Sequence, residues 1–150
     1  MKELAALCER LGFTDVRTYI QSGNVIFASG FSEDAVRSRL EKSLFLKMGK
    51  KIEVMVRTPT ELRFILSHNP FPNKEPAKVA VAFLREPPPK DLMKHVFPPG
   101  GEQVKRGKRE IYIYYPDGMG RSKLKLPLAG VAATIRNINT IAKLVDLTEN

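Results

Sequence analysis

Val79-Ala80-Val81-Ala82-Phe83-Leu84 is the longest unbroken apolar run in the chain. Successive side chains of a strand point to opposite faces, so a strand apolar at every position must be covered on both. The run therefore predicts a central strand with a layer packed on each side. Six residues fall far short of the roughly 20 that a membrane span requires. A chain of 150 residues with 43% apolar and 27% charged side chains has material for such a core. At that length folding buries roughly 70% of the unfolded surface, so no disulfide or metal staple is needed. The single cysteine, Cys8, has no internal partner and shares no metal-ligand spacing.

The segments on either side of this strand read as two series of elements. In the first, Leu4, Leu7, Cys8 and Leu11 recur at helical spacing and Gly12 supplies the stop. Val16, Thr18 and Ile20 alternate as a strand, Gln21-Ser22-Gly23-Asn24 turns, and Val25–Ala28 returns as the hairpin partner. Ser32 is the expected N-cap of a helix striped by Val36, Leu40 and Leu44 that ends near Gly49, with Phe31 and Val36 placed as a hydrophobic staple. Ile52, Val54 and Val56 alternate as another strand. Thr58-Pro59-Thr60-Glu61 is a capping box with proline at the first helical position, opening a helix that Asn69-Pro70-Phe71-Pro72-Asn73 breaks.

After the Val79–Leu84 strand, a short helix through Leu92, His95 and Val96 follows. Residues 103–105 and 111–115 pair around Arg106-Gly107-Lys108-Arg109, and a loop through Gly118 and Gly120 enters a short helical segment near Ser122. Pro127 limits that segment to a turn or two. Ala133–Arg136 is a weak strand, and Ile141, Leu144 and Val145 mark a closing helix.

The two series match if the first has lost its opening strand. The fold expected is α+β: two tandem ferredoxin-like (split βαβ) lobes, the first missing its opening central strand. The boundaries are 1–69 for the first, truncated lobe, 70–77 for a linker and 78–150 for the second lobe. In a complete lobe the opening strand separates the third and fourth. Without it, residues 25–28 and 51–57 must pair directly as a right-handed parallel βαβ unit or leave an unpaired gap.

The motif order also resembles a known family. Leu11-Gly12-Phe13-Thr14-Asp15-Val16-Arg17-Thr18-Tyr19-Ile20-Gln21-Ser22-Gly23-Asn24-Val25-Ile26-Phe27 is similar to the signature hairpin of the bacterial domain of unknown function 1697 family. The likeness continues through Val56-Arg57-Thr58 and Asn69-Pro70-Phe71-Pro72, then Tyr114–Leu124 and Ala133–Thr140. The resemblance implies tandem α/β lobes and no established activity. Members usually carry one more strand ahead of the position of Met1. Its absence agrees with the repeat argument and points to a truncated or misassigned start.

Chemistry concentrates in the second half. The chain carries a net charge of +9, with twelve cations and nine anions in residues 1–75 and thirteen and seven in residues 76–150. Such a balance favours polyanionic partners. In Tyr115–Lys123 a strand end, two glycines and a helix start expose backbone N–H groups beside two cations, which suits a phosphate or other anion. Gly118, Gly120, Arg121, Ser122 and Lys123 are the candidates. The spacing is not that of a Walker A loop, and a plain glycine turn capped by Ser122 explains the same residues. Arg136 and Asn137, just before the last helix, could complete the pocket, with Asn139 or Thr140 expected as that helix's N-cap. Tyr112 and Tyr114 share a strand face among cations, the pattern of a base-stacking surface, or else they pack beneath a helix. Gln21, Ser22 and Asn24 at the first hairpin tip are secondary polar candidates. Turn chemistry accounts for Asn24.

A catalytic case is thin: no catalytic residue, metal ligand or cofactor is assigned. His68 and His95 share no metal spacing, Cys8 falls on an apolar helix stripe, and Asp117 is the only carboxylate near the glycine loop. The first reading is a cytoplasmic protein, without membrane attachment, that binds nucleic acid or a phosphate-containing ligand through the glycine loop. The alternatives are a small enzyme acting on a phosphorylated metabolite, and an interaction module that forms a homodimer through an exposed sheet edge.

Overall fold

A computed structural model describes residues 2–19, 23–128 and 131–149. It is a mixed α/β chain with two antiparallel sheets, and it divides into two compact units at Arg57/Thr58.

In the first unit, α1 (Lys2–Arg10) is followed by the hairpin β1 (Thr14–Tyr19) and β2 (Asn24–Ala28), then α2 (Glu33–Met48). The hairpin register runs from Thr14↔Ala28 to Tyr19↔Asn24 and shifts between Thr14 and Arg17. Asp15 stands in that irregularity at φ 51°. This left-handed conformation is one that a short polar side chain tolerates better than most. Both caps of α2 hold as read. The Ser32 hydroxyl accepts from the Ala35 amide at 3.2 Å, and Gly49, at φ 73°, ends α2 by donating its amide to the Phe45 carbonyl at 2.9 Å. Cys8, Phe13, Val36 and Leu40 form the core, and Phe13 stacks on Phe27 with ring centroids 4.2 Å apart.

Residues 51–57 are a correction. They carry the period of a strand but pair with nothing as a ladder among the described residues, and the sheet has two strands. Val54 and Val56 still pack on the core, while the Val54 amide donates to the Glu41 carboxylate at 3.0 Å. The direct parallel pairing does not form. Alternation records only that one side of the segment is buried; ladder bonds need a neighbouring strand within about 5 Å.

The second unit begins with α3 (Pro59–Ser67), whose capping box forms as expected. The Glu61 amide donates to the Thr58 hydroxyl at 3.1 Å, and the Thr58 amide donates to the Glu61 carboxylate at 2.8 Å. Four strands follow, β3 (Val79–Phe83), β4 (Gln103–Arg106), β5 (Glu110–Tyr114) and β6 (Thr134–Asn137), and α4 (Ile138–Thr148) closes the unit. The sheet order is β4-β5-β3-β6, antiparallel throughout, so β3 lies between β5 and β6 as its apolar run requires. Every residue of β3 is buried. Ala80, Ala82, Leu84, Ile111, Ile113 and Tyr115 face one layer, closed by Leu92 and by Leu124, Leu126 and Leu128. The opposite face carries Val81 and Tyr112 and is covered by α3 and α4, with Ile65, Ile141 and Val145 buried. Burying one large apolar side chain contributes roughly 1.5–3 kcal/mol, so this two-faced core outweighs any local propensity.

One segment departs from its reading. The Leu92–His95 helix is a single 3-10 turn, because Pro87–Pro89 and Pro98-Pro99 bracket it and cannot continue a helix. The 70–77 stretch carries a packed residue. Phe71 is buried and packs near the Tyr114 ring, and its amide donates to the Asn69 side chain at 2.9 Å. The unit boundary accordingly precedes α3, because α3 packs on α4 and the Tyr112 hydroxyl donates to the Ile65 carbonyl at 2.8 Å.

Candidate functional site

The glycine loop follows β5. Gly118 sits at φ 85°, and Met119–Arg121 makes one 3-10 turn. A side chain at that φ would be strained. Four amides of the loop are bonded within it. Gly118 donates to the Tyr115 carbonyl at 3.0 Å, Arg121 to Gly118 at 3.3 Å, Ser122 to Met119 at 3.1 Å and Leu124 to the Ser122 hydroxyl at 3.1 Å. Ser122 in turn donates to the Glu102 carboxylate at 2.8 Å. That carboxylate also accepts the Gly100 amide at 2.8 Å, and this bond, chiefly, with help from Ser122, holds Glu102 below the usual carboxylate range despite its burial. An internal anion thus occupies the position beside Ser122, which acts as a brace for the turn.

The cations of the loop are deployed differently. Arg121, Lys123 and Lys125 are exposed, alternating with Ser122, Leu124 and Leu126 turned inward. None of the three makes an ion pair among the described residues. Leu124 and Leu126 anchor on the core beneath, so the three positive charges form a row on a fixed base. Sequence reasoning misses Lys125, although the alternation Arg-Ser-Lys-Leu-Lys-Leu carries the signal for it.

Arg136 and Asn137 do not join this row. Arg136 is in register with Val81, which pairs with Tyr112, whereas the Leu124–Leu128 segment packs on the other face, that of Ala82 and Ile135. Burial draws the Arg136 guanidinium pKa below its usual value, and one of its nitrogens donates to its neighbour's carbonyl, that of Ile135, at 3.0 Å. Asn137, rather than Asn139 or Thr140, is the N-cap of α4. Its side-chain oxygen accepts from the Asn139 amide at 2.8 Å, and its nitrogen donates to the carbonyls of Pro76 and Ala77 at 3.3 and 2.9 Å. The cap lies two residues ahead of Asn139 because β6 runs straight into the helix.

The aromatic candidates separate. Tyr112 is 3% exposed, with its hydroxyl tied to α3 and its pKa pushed up to about 12 by burial and, less, by Glu110. A ring so enclosed offers no face to a base. Tyr114 is half-buried, tilted on Phe71, with the Lys74 ammonium 5.0 Å from its ring centre. In the first unit Asn24 is buried and donates to the Tyr19 carbonyl at 3.3 Å, which closes the hairpin. Gln21 and Ser22 lie outside the described residues.

Elsewhere, burial and the nearby Glu9 charge push the Cys8 thiol up, away from a reactive thiolate. The His95 imidazole meets the Asp91 carboxylate at 3.2 Å, and His68 meets the Phe64 carbonyl at 2.9 Å. Among the described residues, no three His, Cys, Asp or Glu gather closely enough to hold a metal ion. None of the described helices is long and apolar enough to cross a membrane.

Fold and site thus define a mixed α/β protein with two antiparallel sheets whose second unit carries a row of exposed cations. The chain belongs to the family described as Protein of unknown function (DUF1697), whose model matches residues 1–112. A solved structure described as a conserved bacterial protein, SP0830 from Streptococcus pneumoniae, shares the fold. Its TM-score is 0.77 at 23% identity, over 97% of this chain and 87% of that one. No curated protein matches.

Proposed function

We propose that the second unit binds a polyanion, nucleic acid first among the classes, through Arg121, Lys123 and Lys125 beside the Gly118–Gly120 turn. The observation that carries this reading is the row itself: three exposed cations at alternate positions, with no acidic partner among the described residues, on a segment pinned by its leucines. Recognition then runs chiefly through side-chain charge, since the Gly118, Arg121, Ser122 and Leu124 amides are bonded within the loop. The test is fluorescence anisotropy of a labelled single-stranded oligonucleotide across a salt series. Neutralising all three positions (R121A, K123A and K125A together) lowers the slope of log affinity against log salt by roughly 2, at about 0.7 per phosphate contact. Salt-independent binding, or a slope unchanged in the triple variant, refutes it.

The finer architecture belongs to the same proposal. We read both units as ferredoxin-like, the first without its opening strand. The position of β3 between β5 and β6 supports this for the second unit, and the unladdered residues 51–57 support it for the first. A cytoplasmic setting agrees with the lone, buried Cys8. A second reading, an interaction module that pairs with its own copy along the first sheet, draws on the two-stranded hairpin and on Phe45, Leu46 and Met48 exposed on α2. A concentration-dependent dimer in sedimentation, lost on placing proline in β2, favours it; a monomer at all concentrations removes it.

A further inference from the structure

The β4–β5 turn lies at the opposite end of β5 from the glycine loop and carries Lys105-Arg106-Gly107-Lys108-Arg109, four cations in five residues. The turn is held rigidly. Gly107 donates its amide to the Glu110 carbonyl at 2.7 Å, and a side chain at Gly107 would meet the Tyr112 ring at 3.1 Å. The Arg109 guanidinium donates to the Glu61 carboxylate at 2.8 Å and to the Arg85 carbonyl at 3.4 Å, locking the turn against α3. Between the turn and α3 lies a cleft of about 190 Å³, lined by Thr60, Glu61, Phe64 and Lys108 among others.

Phe64 is unusual there. It is 38% exposed on a helix that packs against α4. It stacks on His68 with centroids 3.8 Å apart and planes 21° from parallel, and the Lys108 ammonium sits 4.2 Å from its ring centre. Glu61 has internal partners, the Thr58 amide and Arg109. Lys108 is exposed, is in no ion pair among the described residues, and reaches the ring on a flexible stem. An ammonium over an exposed aromatic ring is a weak contact, whereas a nucleobase stacked on that ring gains more.

We propose that this cleft takes an aromatic nucleobase carrying a phosphate, with the base stacked on Phe64 in the place of the Lys108 ammonium and the displaced Lys108 paired with the phosphate. The Phe64 face opposite His68 supplies the platform, and Lys108 supplies the charge. These residues are separate from the Arg121–Lys125 row, at the other end of the strand, so this cleft can bind whether or not the row does.

The test uses the full chain and two probes, adenosine 5′-monophosphate and a single-stranded oligoadenylate, read by the NMR shifts of the Phe64 and His68 ring protons. Upfield ring shifts with the mononucleotide support the proposal and identify a free nucleotide as sufficient. Shifts with the oligonucleotide alone support it and identify the nucleic-acid strand as the source. The F64L variant keeps apolar bulk without the ring and should weaken binding roughly 10- to 100-fold. K108Q, which removes the ammonium and keeps a polar side chain, should weaken it and reduce its salt dependence. The shifts should persist in the triple variant lacking Arg121, Lys123 and Lys125. Absence of ring shifts with either probe, or undiminished affinity in F64L and K108Q, overturns the proposal.

Discussion

Replacing Tyr112 with phenylalanine isolates one buried hydrogen bond and one buried titration. The hydroxyl donates to the Ile65 carbonyl at 2.8 Å, near the end of α3, where the Asn69 amide turns to Leu66 instead. Y112F leaves that carbonyl without the donor that satisfies it. A lost hydrogen bond together with an unsatisfied buried acceptor costs about 1–3 kcal/mol. The same burial pushes the phenol up to about 12. In an unfolded chain a phenol titrates at about 10. Between those values the folded state keeps a proton that the unfolded state has released, so stability falls as pH rises. The phenol's contribution is therefore complete below pH 10 and drains away towards pH 12. Two pKa units correspond to at most about 2.7 kcal/mol. Urea unfolding followed by circular dichroism, at pH 7 and at steps from 9.5 to 12, measures both effects. Wild type should exceed Y112F by about 1–3 kcal/mol at pH 7, and the advantage should shrink across the alkaline window. Tyr115, whose pKa burial also raises, is present in both proteins and cancels in the difference. Equal stabilities at pH 7, or a difference constant to pH 12, would refute the packing of β5 under α3.

Other consequences are simpler to read. E102Q removes the charge that Gly100 and Ser122 bind. The folded carboxyl has a lowered pKa. Its stabilisation is therefore present above about pH 4.3 and is lost as pH falls through the folded value. Thermal melts should show the gap between wild type and E102Q closing from pH 7 to pH 3; a pH-independent gap would contradict the assignment. N137A deletes the α4 cap and the two bonds to Pro76 and Ala77. It should cost about 1–2 kcal/mol in chemical unfolding, while N139A should cost far less. G118A forces a side chain to φ 85°. In chemical unfolding it should destabilise by about 1 kcal/mol. G120A, with open space around it, should be near neutral.

The candidate site was partly legible. The basic glycine loop, its strand-end position and its cations are where the residue pattern put them. Its chemistry was not readable. Ser122 looks like a cap or a ligand donor until Glu102, twenty residues earlier, is found against it. Tyr112 and Tyr114 are equivalent by strand period, and only the return of α3 over β5 buries the first and leaves the second half-open. Phe64 and Lys108 meet across forty-four residues of chain, beyond the reach of any spacing rule.

The sequence alone determined the features whose physics closes within a turn. The Ser32 and Thr58 caps bind amides three residues on, Gly49 stops α2 in a left-handed turn, and the unbroken apolar run makes β3 a strand covered on both sides. Tertiary structure decided everything that depends on which distant surface arrives. Residues 51–57 have a strand's alternation and no ladder, Asn137 became a cap and Arg136 turned to the far face of the sheet. The reason is one of range. A cap or a turn satisfies its own amides locally, but a ladder, a buried hydroxyl or a braced carboxylate needs a partner that only chain closure brings within about 3 Å.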